Sequence, residues 1–224
     1  MQRRNGRLIY SPSDLIQFME SPFASWMERL HKECPDRYKP DPKSDELQLV
    51  ADAGNLHENQ FLKQLQEQGR DVCAIDSDGA AKEKTWQAIQ SGREVIFQAL
   101  LQKDQFRGYA DFLFKVPETN TYEVCDTKLA RSMKPYFVVQ LCCYSEMLGE
   151  LQGKFPENDK VVLGSKETKE FRTRNFFHYY LGLKKAFLAL MDSFDLAQKP
   201  PFPCPRFPES RKTPRNRDRC CQGR

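Results

Sequence analysis

Apolar residues at helical spacing open the chain. Leu15, Ile16, Phe18 and Met19 follow Ser11-Pro12-Ser13-Asp14, which predicts a helix with Ser13 as its N-cap. The pattern runs on through Phe23, Trp26, Met27 and Leu30, and Pro22 is expected to bend or split it. Residues 34–44 are rich in Pro, Asp and Lys and read as a loop. Over 45–68, Leu47, Leu49, Val50, Ala53, Leu56, Phe61, Leu62 and Leu65 recur at helical spacing, predicting a second helix closed by Gly69. A short strand at 72–75, a helix over 80–90 and an apolar run Val95-Ile96-Phe97 come next.

The centre of the chain has a different texture. Residues 106–116 and 121–128 are β-branched or aromatic runs, and Pro117-Glu118-Thr119-Asn120 between them has turn composition, so an antiparallel hairpin is predicted. A strong helix follows over 136–151, then strands at 161–163 and 170–172, then a helix over 175–194. Helices, a hairpin-bearing sheet, a helix and more sheet make a mixed α/β domain over 1–196, with no internal repeat.

Composition adds limits. The chain has 224 residues, 39% hydrophobic and 29% charged, which is long enough for a packed core and too apolar for a disordered chain. No apolar stretch approaches a membrane span, and Met1-Gln2-Arg3-Arg4-Asn5-Gly6-Arg7 is followed by only Leu8-Ile9-Tyr10 where a secretory signal needs an apolar core, so a cytoplasmic location is expected. Net charge is +4, but residues 197–224 alone carry +6 and the rest −2. That Pro- and Arg-rich tail has no periodicity and reads as disordered, either a basic arm for nucleic acid or a solvated linker. Eight cysteines include no Cys-x-x-Cys pair, and the adjacent pairs Cys142-Cys143 and Cys220-Cys221 suit neither zinc nor an ordinary disulfide; they read mostly as buried thiols.

The chemistry concentrates in the hairpin. Asp126 and Lys128 are two apart on one strand and share a face, and Asp111 lies on the partner strand where pairing brings it near them. Two carboxylates and a lysine on one sheet face are costly to bury without a partner, and a hard divalent cation is an efficient one. Gln140 and Tyr144 stand at i and i+4 on the next helix. His57, on the second helix, reaches the same ion if that helix packs over the sheet edge. Glu58 beside it reads as a solvent salt bridge. Glu123 alternates away from Asp126, and His31 and His178 read as structural.

Gly54-x-x-His57-Glu58, Gly108-x-Ala110-Asp111, Asp126-x-Lys128 and Gln140-x-x-x-Tyr144, in this order, resemble the PD-(D/E)XK nuclease superfamily and its RecB-like branch over about residues 11–195. The resemblance implies a restriction-endonuclease-like mixed sheet whose central antiparallel hairpin is flanked by helices. It implies that His57, Asp111, Asp126 and the Thr127 carbonyl bind Mg²⁺ or Mn²⁺. Lys128 would orient or activate the attacking water, and Gln140 and Tyr144 would position the scissile strand or brace Lys128. The implied activity is metal-dependent DNA hydrolysis in repair or recombination, on single strands or duplex ends.

Some relatives hold an iron–sulfur cluster through an early cysteine and a C-terminal trio. Cys34, Cys204, Cys220 and Cys221 have the wrong spacing and Ser21 stands in the first helix, so no cluster is expected. Larger relatives fuse the nuclease to a helicase or further nuclease domain, and the tail could mark where such a continuation is cut off. Tyr109, Phe112, Tyr136 and Phe137 could stack bases, although their positions read as core. The competing functional class is a nucleic-acid-binding or scaffolding module that keeps the fold without turnover, and RNA is open as a substrate.

Overall fold

The structure is a computed structural model that describes residues 1–40, 42 and 44–201. The expected order of elements is present, preceded by a hairpin that the apolar pattern does not reveal. Strands β1 (Gln2–Arg4) and β2 (Arg7–Ile9) pair antiparallel around Asn5-Gly6, both at positive φ (48° and 75°). Asn-Gly is the dipeptide that a tight hairpin turn of that geometry selects.

The first long helix is two. α1 (Pro12–Glu20) begins two residues earlier than expected, because Pro12 fits the first helical position and Ser11, not Ser13, is the N-cap. The Asp14 carboxylate reaches back to accept from Ser11 N at 2.6 Å and Ser11 Oγ at 2.9 Å. Pro22 then breaks the helix, and Ser21 Oγ accepts from Ala24 N to start α2 (Pro22–Glu33). α3 (Asp45–Glu67), β3 (Val72–Ala74) and α4 (Ala81–Gln90) lead to β4, which is nine residues long (Val95–Lys103) and outruns its apolar start. β5 (Phe106–Val116) and β6 (Thr121–Lys128) form the hairpin; α5 (Pro135–Gln152), β7 (Asn158–Leu163), β8 (Thr168–Arg172) and α6 (Arg174–Asp192) complete the fold.

The six long-chain strands make one mixed sheet in the order β3-β4-β5-β6-β7-β8, parallel at β3/β4 and β6/β7 and antiparallel elsewhere. Helices α1, α5 and α6 cover one face, where Leu15, Val124, Leu141, Leu148, Val161 and Phe187 are buried in the larger core. The C-terminal half of α3 covers the other face, with Leu65, Phe61 and Leu62 over Val95, Phe112, Cys125 and Val162. Helix α4 follows the edge of β4 beyond the end of β3, where Thr85 Oγ1 accepts from Leu100 N at 3.0 Å and satisfies an edge donor.

The thiols of Cys125, Cys142 and Cys143 are buried, and burial pushes all three up, Cys143 to about 12. They behave as small apolar groups, while Cys34 and Cys73 are half-buried. Residues 202–224, with most of the basic tail and Cys204, Cys220 and Cys221, lie outside the described residues. No helix among the described residues is long and apolar enough to cross a membrane.

Candidate active site

The site lies where the central hairpin opens. Pairing of β5 with β6 runs from Val116/Thr121 to Phe112/Cys125 and stops there; the next positions are Asp111 and Asp126. Pairing of β5 with β4 is interrupted at the same level, between Phe97/Phe112 and Ala99/Ala110, which leaves Gln98 opposite Asp111. Gln98 has φ 56°, a left-handed backbone that a non-glycine residue adopts at a cost of about 1 kcal/mol or more. This twist turns the strands over. Phe97 and Phe112 face α3, whereas Ala99 and Ala110, two residues along each strand, belong to the core under α1 and α5.

The backbone groups freed by the parting are taken up by side chains. Leu100 turns its N–H outward to Thr85, so its partner Tyr109 turns its polar backbone toward β6, and the Tyr109 carbonyl accepts from Tyr144 Oη at 2.6 Å. Gly108 makes this contact possible: a Cβ there would lie 3.0 Å from Tyr144 Cε1 and 3.0 Å from Pro12 Cδ. On the other strand, Thr127 donates twice to Asp111 Oδ2, from its N–H at 2.9 Å and its Oγ1 at 3.2 Å. The expected ligand Thr127 thus meets Asp111 through its donors.

Asp126 is the most enclosed member, with 1% of its side chain exposed. Gln140 Nε2 donates to its Oδ1 at 3.2 Å. Its Oδ2 is 2.5 Å from Lys128 Nζ, yet that approach lacks hydrogen-bond geometry, and Oδ2 is a buried oxygen without a hydrogen bond. Burial, reinforced by the Asp111 carboxylate, raises the Asp126 pKa well above the ordinary carboxylate range; Lys128 opposes the shift. Burial works against the Lys128 ammonium, but Asp126 and Asp111 outweigh it, and the lysine is held protonated, 5.7 Å above the Phe137 ring. Tyr144 is raised by burial and by the same two carboxylates.

From the opposite layer comes Glu58, where the sequence pattern points to His57. Glu58 is half-buried, accepts a hydrogen bond from Gln98 Nε2 and is raised to about 7, first by burial and then by Asp111. It is not the solvent salt bridge expected of it. Its neighbour His57 stands one helical step round from it, with Nε2 buried without a hydrogen-bond partner. Asp111, Asp126, Lys128, Gln140 and Tyr144 are therefore gathered as expected, His57 is not seen bonded to them, and Glu58 and Gln98 join. The signal for Glu58 is its place in the stripe Phe61, Leu62, Leu65 that covers the sheet; the signal for Gln98 is a lone polar residue in Val95–Leu101.

The remaining expectations concern the surroundings. Glu123 lies off the site, accepting from Asn158 N at 3.0 Å and pairing with Lys160 at 3.4 Å. His31 Nδ1 is 2.6 Å from the Tyr38 carbonyl, a structural contact, and His178 is exposed on α6. Phe112 is core, packed on Phe61 and Phe97; Phe137 is buried edge-on to Tyr136; Tyr109 is half-buried beside Asp111.

Hard oxygens, one of them buried without a hydrogen bond, are the donor chemistry a divalent cation takes. Among the described residues no three His, Cys, Asp or Glu side chains are gathered to hold an ion. Two carboxylates are a common protein share for Mg²⁺, which keeps waters and takes the rest of its shell from phosphate. No protein-family model matches the sequence, and no curated protein matches it.

Proposed function

We propose that the chain is a metal-dependent nuclease that hydrolyses phosphodiester bonds in DNA, on a fold of the restriction-endonuclease type. The observation that carries this reading is the pairing, across parted strands, of Asp111 with a nearly inaccessible Asp126 whose Oδ2 lies against the Lys128 ammonium and has no hydrogen bond. Mutual repulsion and burial disfavour two carboxylates there, and a cation that neutralises them relieves both terms.

Asp111 and Asp126 would hold Mg²⁺ or Mn²⁺. When bound, the ion would polarise a phosphoryl oxygen and stabilise the leaving oxygen. Thr127 fixes Asp111 through two donors and Gln140 fixes Asp126 through one, so neither carboxylate needs to reorganise when substrate arrives. Lys128 stays protonated, which makes it a donor to the scissile phosphate or the attacking water and not a general base. Glu58, raised to about 7 and bonded to Gln98, is a group able to exchange a proton near neutrality. Tyr144 acts through the backbone of β5 and is a positioning residue.

The test is cleavage of labelled single- and double-stranded DNA with Mg²⁺, Mn²⁺ or EDTA. The reading expects metal-dependent cleavage that falls by about a hundred- to a thousandfold in Asp111→Ala and in Lys128→Ala, the scale on which electrostatic groups of a site count. Binding without cleavage under every metal would identify a silent nucleic-acid-binding module instead.

A further inference from the structure

A second feature lies at the start of β5. The hairpin β1–β2 and the start of β5 enclose a cleft of about 580 Å³ lined by Arg4, Asn5, Arg7, Ile9, Gln102 and Arg107. No carboxylate lines it. Arg4 and Arg7 are directly opposite each other in the hairpin, an arrangement of like charges that costs stability, and the one side-chain hydrogen bond among the three arginines is Arg4 to Gln2. The hairpin is fixed against β5 by its backbone: Tyr10 N donates to the Gln105 carbonyl at 2.7 Å and Arg107 N to the Tyr10 carbonyl at 2.8 Å. Arg107 and Tyr109 project from β5 away from Gly108, whose missing Cβ points at Pro12 and Tyr144.

We propose that this cleft holds the phosphate backbone of the nucleic-acid strand that enters the candidate site, with Arg4, Arg7 and Arg107 as its phosphate contacts. The proposal rests on the nuclease reading and names how the substrate is gripped. Arg107 precedes Asp111 by four residues of strand, about 13 Å, the axial length of about four stacked nucleotides. Half-buried Tyr109 lies between them on the strand and packs against the larger core. Three guanidinium groups on a rigid frame, none with a carboxylate partner among the described residues, suit a repeating line of phosphates better than a single carboxylate.

The experiment measures binding of fluorescein-labelled dT12 in EDTA as a function of salt, for the wild-type chain, the triple variant Arg4→Gln/Arg7→Gln/Arg107→Gln and the corresponding triple Lys variant, with polyglutamate as competitor. Losing three contacts to a single strand should lower the slope of log K against log salt by about 2, and the Lys variant should keep it. Should the triple Gln variant not fold, Arg4→Gln and Arg7→Gln on the exposed hairpin should each lower the slope by about 0.7. An unchanged slope, while the wild type binds and cleaves, overturns the cleft and leaves the nuclease reading intact. A reduced slope in a chain that never cleaves under Mg²⁺ or Mn²⁺ keeps the cleft and removes the nuclease. Absence of wild-type binding, or displacement of dT12 by polyglutamate at equal charge, overturns the proposal.

Discussion

The β5–β6 hairpin has two ends that the same kind of residue inhabits in opposite ways. From the turn up to the last pair, Phe112/Cys125, the strands pair without a gap, Phe112 and Phe114 pack under Phe61, and the buried Glu123 accepts from Asn158 and pairs with Lys160. At the far end the strands part, and the buried Asp126 has one hydrogen bond from Gln140 and one bare ammonium contact. A buried carboxylate is thus not in itself a site. Where sheet pairing and neighbouring donors close around it, the charge is absorbed by the fold; where pairing stops, an oxygen is left buried without a hydrogen bond. The strained Gln98 backbone and the side-chain caps from Tyr144 and Thr127 keep that end open.

The contrast can be broken most strongly at the last closed pair, Phe112/Cys125, where the gap begins. Phe112 is fully buried among Phe61, Phe97 and Phe114, so Phe112→Ala should cost about 3–5 kcal/mol, read from urea unfolding. A loss below about 1 kcal/mol would mean that the closed end is not what anchors the hairpin. A smaller effect, set by pH, separates fold-absorbed from functional acids at Asp159. This residue is buried, accepts from Ser145 Oγ at 2.5 Å and is raised to about 7, chiefly by burial. Its folded value lies above its unfolded one, so ionisation opposes folding: the penalty is absent below about pH 4, grows with pH and is complete above about 7. Asp159→Asn should leave Tm nearly unchanged at pH 4 and raise stability at pH 8 by up to about 4 kcal/mol. An equal change in Tm at both pH values would contradict the assignment.

Much of the frame is legible in the residues. Helical periodicity marks α3, α5 and α6, and the turn Pro117-Glu118-Thr119-Asn120 marks the hairpin whose strands carry Asp111, Asp126 and Lys128. Gln140 and Tyr144 can be read together because i and i+4 share a helix face. What is not legible is rotation. His57 and Glu58 differ by one helical step, and only the docking of Phe61 and Leu65 on the sheet decides which of them faces Asp111. The flip at Gln98 is equally hidden, since a left-handed residue inside a strand is imposed by tertiary packing and carries no local signature. The N-terminal hairpin does have a signature, Asn5-Gly6, but its strands Gln2-Arg3-Arg4 and Arg7-Leu8-Ile9 lack the alternation that marks a half-buried strand.

The central claim is that the parted end of the hairpin holds a divalent cation between Asp111 and Asp126. Titration of Mn²⁺ into the DNA-free protein, followed by electron paramagnetic resonance, tests it most directly. Saturable uptake by the wild type, weakened at least tenfold in both Asp111→Asn and Asp126→Asn while circular dichroism stays unchanged, is the predicted result. Uptake that is absent from the wild type, or equal in folded variants lacking either carboxylate, would contradict the account.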